Sequence, residues 1–126
     1  MKLDNSLLYS NQHLWVRKIS EKEYESGITD YAQDLLGDIV FVEFPKLGAE
    51  LKMGDSVGLV ESVKTGSDLH APLSGKVTKL NHVLELHPEN INDAPYKTWI
   101  FKFEATKFDE LAELLDSSGY GALVQE

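Results

Sequence analysis

No cysteine occurs in the 126 residues, which excludes a disulfide framework, a thiolate metal site and a cysteine nucleophile. Any sulfur chemistry would have to come from a group attached to the chain. No apolar run approaches the roughly 20 residues that cross a bilayer, and Met1 to Ser10 has neither the basic start nor the apolar core of a signal peptide. Basic residues are sparse: 12 Lys and Arg stand against 21 Asp and Glu, for a net charge of −9. That field repels phosphates, so nucleic acid and anionic membranes are poor partners and basic protein surfaces better ones. Apolar residues at 42% and charged ones at 26% fit one soluble globular domain spanning 1–126. A cytoplasmic location is expected, or an organelle after removal of a targeting segment.

Glycine and proline punctuate what is there. Leu14 to Ile19 and Glu21 to Ile28 read as short strands joined around Ser20 to Lys22. Thr29 is placed to cap a helix from Asp30 to Leu36, with Tyr31, Leu35 and Ala32 facing inward and Gly37 as the stop. Ile39 to Phe44 is β-branched and aromatic and is closed by Pro45, which predicts a strand that fills much of the core. Gly48, Gly54 with Asp55, and Gly75 then separate short strands at Val57 to Glu61, Asp68 to Ala71, Lys76 to Leu80 and Trp99 to Phe103. Asn81 to Lys97 is polar and aperiodic, a long surface connection with at most a helical turn. Thr106-Lys107-Phe108-Asp109 opens a last element like a capping box, and Phe108, Leu111, Ala112 and Leu115 continue at helical spacing, predicting a C-terminal helix. The stretches Met53 to Val57 and Leu73 to Val77 echo one another on either side of Lys64, each with a turn glycine, as in two β halves folded together. The fold class is mainly β, with a short helix in the N-terminal half and another at the C-terminus.

The informative segment is Gly58 to Pro72. Apolar strand residues lead into Ser62-Val63-Lys64-Thr65-Gly66, where a glycine just after the lysine favours a tight reversal with Lys64 near its tip. Taken alone, such a lysine is a solvated charge that keeps a sheet edge soluble.

The wider pattern is more specific. Glu61-Ser62-Val63-Lys64, followed by Ser67-Asp68 and by Ala71-Pro72-x-Ser74-Gly75, resembles the lipoylation segment of glycine cleavage system H proteins. The similarity extends to Gly27 to Gln33, to Leu36 to Glu43, to Asn92-x-x-Pro95-Tyr96 with Trp99, and to His13 and Trp15, so it covers nearly the whole chain in order. The resemblance implies a barrel-sandwich hybrid of the lipoyl- and biotinyl-carrier type, a non-catalytic subunit, and a cytoplasmic or mitochondrial-matrix setting. It implies lipoate in amide linkage on Lys64, with Glu61 and Asp68 marking the site and Gly48 and Gly75 shaping the face read by lipoate-attaching enzymes. The partners it implies are a pyridoxal-phosphate glycine decarboxylase, a tetrahydrofolate-dependent aminomethyltransferase and dihydrolipoyl dehydrogenase. In that family the loaded arm folds back into a cleft, whose lining by position would be the helix Asp30 to Leu36 and Asp68.

The chain departs from the family pattern in places. Leu14 stands where a glutamate usually helps hold the amine of the loaded arm, and a leucine accepts no hydrogen bond. Thr65-Gly66, His70 and a short Tyr96 to Trp99 loop also differ. An H-like protein that relays lipoyl groups to other complexes is the alternative Leu14 favours. A biotin carrier fits less well, since Val63 and Thr65 replace the methionines that usually flank its lysine. A hydrolase built on Ser67, Asp68 and His70 has poor geometry, because on a strand Ser67 points away from the other two. His13, His70, His82 and His87 lack a metal-ligand spacing, so no metal is expected. An unmodified interaction module would use Phe41, Phe44, Trp99, Phe101 and Phe103, whose spacing suits a strand core better.

Overall fold

The computed structural model describes residues 2–125. Among the described residues, nine strands form two antiparallel sheets. The larger has the order β1 (Leu8–Tyr9), β2 (Leu14–Lys18), β3 (Glu23–Ile28), β9 (Phe101–Ala105), β8 (Gly75–Leu80), β5 (Glu50–Leu51); the smaller has β4 (Ile39–Glu43), β6 (Ser56–Ser62), β7 (Gly66–His70). Residues of both sheets share one core: Val42, Val60 and Leu69 of the small sheet are buried with Leu14, Val16, Tyr24, Phe101 and Phe103 of the large one. A second cluster joins Leu7, Tyr9, Trp15, Tyr120 and Val124. This is the mainly β, two-sheet architecture expected of a barrel-sandwich hybrid.

Helix α1 spans Asp30–Leu36 between the sheets in sequence, as its caps predict. Thr29 Oγ1 accepts the Ala32 N–H at 3.2 Å, and Gly37 ends the helix with φ 84° while its N–H donates to Gln33 O. Its inner face differs from the expectation. Leu36 is the buried residue, Tyr31 and Ala32 are half-buried, and Leu35 is 59% exposed, because Leu36 and Ala32 pack on the main core and Tyr31 on the second cluster, which leaves Leu35 outside both.

Three other expectations are corrected. β4 is an edge strand with a register shift between Ile39 and Phe41, so only Ile39 and Val42 are buried, while Val40 and Phe41 are about half exposed. Gly75 is not in a turn: it lies in β8 where a Cβ would run into Glu104 O, so close approach of β8 to β9 is what demands glycine. Gly48 and Gly54, at φ 82° and 91°, are the true turn glycines. The C-terminal helix starts later than expected. Residues Phe108–Glu113 form a 3₁₀ segment with no side-chain cap and Phe108 exposed, and the helix proper, here α3, runs Ser117–Val124. Asp116 caps α3 through the Gly119 N–H at 2.8 Å, and Glu110 is drawn away to bond Ser74 N and Oγ. The stretch 81–97 contains a 3₁₀ turn at His82–Glu85 and a single helical turn, α2, at Asn90–Asp93, pinned by buried Leu84 and Ile91.

Candidate functional site

β6 and β7 form a hairpin whose loop is Val63-Lys64-Thr65. Its tip is held from within by Ser62. The Ser62 N–H donates to Thr65 O at 2.7 Å, and Ser62 Oγ accepts the N–H groups of both Lys64 and Thr65 at 3.1 Å. It is also held from outside, since the Val63 N–H donates to Asp38 O at 3.0 Å. Lys64 itself is exposed. A fixed backbone thus carries a freely solvated side chain, the combination a covalent attachment point needs.

The α1–β4 turn lies directly under that side chain. A Cβ on Gly37 would come within 3.0 Å of Lys64 Cε; the positive φ of Gly37 is what requires glycine, since the exposed lysine stem above it can move aside. Asn92 locks the turn from behind: Nδ2 donates to Gly37 O and Gln33 Oε1, and Oδ1 accepts the Ile39 N–H, each at 2.9 Å.

Glu61 and Asp68 share one face of the hairpin, because Glu61 pairs with Gly66 and Leu59 with Asp68. Both are exposed. Gly48 and Gly75 lie together elsewhere, at the β5–β8 edge of the large sheet, where the Gly48 N–H donates to Val77 O and Gly75 pairs with Leu51. The structure therefore brings Lys64, Glu61 and Asp68 onto one hairpin and does not bring the two glycines into it. Ser67 and His70 do not bond one another; His70 Nδ1 donates instead to Gly54 O at 3.0 Å. His82 and His87 sit beside Glu85 and Glu89 respectively, and among the described residues no three potential metal ligands cluster. Of the five aromatics weighed as a contact surface, Phe101 and Phe103 are fully buried, Phe44 and Trp99 half-buried, and Phe41 is the exposed one.

A cleft of about 280 Å³ opens between the hairpin and α1, lined by Leu14, Ile28, Ala32, Leu36, Val60 and Leu69, with His13 and Asp68 as its ionisable groups. His13 adopts φ 72°, and its Nδ1 lies 2.8 Å from Tyr120 Oη. Burial holds the His13 pKa below its ordinary 6.5 and pushes that of Tyr120 up to about 12. Tyr120 is the contributor that sequence reasoning passed over; Ser62, Gly37 and Asn92 were named, but only as motif members or as a helix stop. Gly37 had a signal in its stop position after α1; Tyr120 had none, being 107 residues from its partner.

The two sheets and their lysine-tipped hairpin define a barrel-sandwich hybrid of the lipoyl- and biotinyl-carrier class. A solved glycine cleavage system H protein from Mycobacterium marinum superposes with a TM-score of 0.86 at 33% identity, over 95% of this chain and 97% of that one. Glycine cleavage system H proteins of Methylobacillus flagellatus and Oceanobacillus iheyensis are 53% and 50% identical, covering 98% and 100% of this chain and 99% and 100% of their own lengths. The family model described as glycine cleavage H-protein matches residues 7–126, and the chain belongs to that family.

Proposed function

We propose that the chain is a non-catalytic carrier that holds lipoate in amide linkage on Lys64 and shuttles the aminomethyl group of glycine between the enzymes of glycine cleavage. The observation that carries the reading is the hairpin itself: an exposed lysine on a backbone fixed by Ser62 and Asp38, beside an apolar cleft. Lipoate, once attached, supplies the dithiol chemistry that a chain without cysteine cannot.

The residues present fit the group. Lys64 offers the amine for the amide bond, and its exposure leaves room for the attaching enzyme. Glu61 and Asp68 flank it as carboxylates on one face, suited to a basic recognition surface. Gly48 and Gly75 act at a distance, by permitting the turn and the close strand approach that shape the neighbouring sheet edge. The partners are a glycine decarboxylase, an aminomethyltransferase, dihydrolipoyl dehydrogenase and a lipoate-attaching enzyme, met by a single domain at 1–126. One departure supports a second reading, in which the protein relays lipoyl groups to other complexes: Leu14, not a carboxylate, lines the cleft.

Lys64→Arg tests the attachment site. The variant is expected to melt with the parent and to gain no mass on incubation with lipoate, ATP and a lipoate ligase. Lipoate found on the variant would overturn the assignment.

A further inference from the structure

The cleft beside Lys64 carries more information than its shape. Thr29 and Tyr120 are both fully buried, so each hydroxyl proton needs an acceptor inside the protein. Thr29 Oγ1 already accepts the Ala32 N–H, and its other partner is Tyr120 Oη at 2.8 Å. The Thr29 proton therefore goes to Tyr120 Oη. That leaves the Tyr120 proton to be donated to His13 Nδ1, also at 2.8 Å. His13 Nδ1 is then an acceptor, and the ring proton of the neutral imidazole resides on Nε2.

We propose that His13 is a binding residue of this cleft, fixed as the Nε2–H tautomer by the relay from Thr29 through Tyr120, and that with Leu14 beside it the cleft receives an uncharged arm end in preference to a cationic one. The proposal rests on the lipoyl reading above. With Nδ1 engaged by Tyr120, the nitrogen left to meet an occupant is Nε2, and it donates. A donor suits a carbonyl, an amine lone pair or sulfur, and repels an ammonium. Leu14 at 1% exposure and the buried Leu36, Val60 and Leu69 make much of the wall apolar, and Gln12, Thr65 and Ser67 add polar groups without charge. Asp68 is the one carboxylate on the lining and it is exposed, so water screens its attraction for a cation. Tyr120 is a positioning residue that acts through His13, and it ties helix α3 to the cleft.

The absence of cysteine makes the test clean, because only the arm carries thiols. Lipoylated protein, its arm verified by mass, is reduced and capped in two ways. With iodoacetamide or with 2-bromoethylamine, each thiol loses its proton and forms an S–C bond as iodide or bromide leaves, giving an uncharged carboxamide or an ammonium terminus. Nitrogen-15 NMR of His13 is expected to show a bare Nδ1 and a protonated Nε2, in arm-free and capped protein alike. The carboxamide cap is expected to displace the His13 ring and Leu14 methyl resonances more than the ammonium cap does. A protonated Nδ1, equal or greater displacement by the ammonium cap, or no displacement by either cap would each overturn the proposal. Tyr120→Phe keeps the ring and removes the hydroxyl, and is expected to mix the His13 tautomers; an unchanged tautomer would count against the relay. Failure of Lys64 to gain lipoate would overturn the lipoyl reading instead, and the arm-free tautomer measurement keeps the two outcomes apart.

Discussion

Leu14 lies on β2 with its side chain in the cleft wall, 1% exposed and packed among the core residues of both sheets. Its neighbours are apolar, so Leu14→Glu places a carboxylate where only the cleft mouth can hydrate it. A loss of about 1 to 3 kcal/mol in stability is expected, read from urea unfolding. The same substitution is expected to raise turnover in a reconstituted glycine cleavage assay, since a carboxylate there can hold the amine of the loaded arm. An unchanged or lower rate in a variant that still folds would remove Leu14 as the weak point. His13 gives a second prediction at this level. Its pKa is lower folded than unfolded, so the unfolded chain binds the proton more readily. Stability is fully present above pH 6.5 and declines as pH falls through that value toward the folded pKa. Asn tolerates the positive φ of this position, so His13→Asn should flatten that part of the profile in melting temperatures taken from pH 8 to 5. A profile as steep as the parent's would show that other groups set the slope.

Ser62 closes the β6–β7 hairpin by accepting two N–H groups with one side-chain oxygen, in a site that is 7% exposed. Ser62→Ala leaves the Lys64 and Thr65 N–H groups without that acceptor and is expected to cost about 1 to 2 kcal/mol. Amide exchange should quicken at Lys64 and Thr65 and stay unchanged in β8 and β9; protection retained at Lys64 would mean that the Asp38 tether alone orders the tip. The elements themselves were partly legible beforehand. Helix α1 could be read from Thr29 and Gly37 because caps are local chemistry. The C-terminal helix was misplaced for an equally physical reason. Thr106 to Leu115 has an amphipathic spacing, but Glu110 bonds to Ser74 and Tyr9 exchanges backbone hydrogen bonds with Leu115. Those long-range bonds hold the segment as a 3₁₀ turn and a bridge. Ser117 to Val124, with two glycines, has little helix propensity, and it folds because Asp116 caps it and Tyr120 stacks on Tyr9 with ring centroids 4.8 Å apart.

Two sheets sharing one core bring Lys64, Glu61, Asp68, α1 and β2 to one end of the molecule, although these residues span positions 14 to 68 of the chain. The hairpin was legible because its glycine, its lysine and its flanking carboxylates lie within eight residues, from Glu61 to Asp68. The cleft was only half legible. α1 and Asp68 could be assigned to it by position, but the relay from Thr29 through Tyr120 to His13 exists only once α3 has docked. Gly48 and Gly75, expected from the resemblance to shape a recognition face, lie together at the β5–β8 edge, away from the hairpin. The most direct measurement is the intact mass of the protein isolated from cells that lipoylate other proteins, with peptide mapping across Ser56 to His70. A single lipoyl increment located on Lys64 is the expected result, and an unmodified Lys64 in those cells would contradict the carrier function.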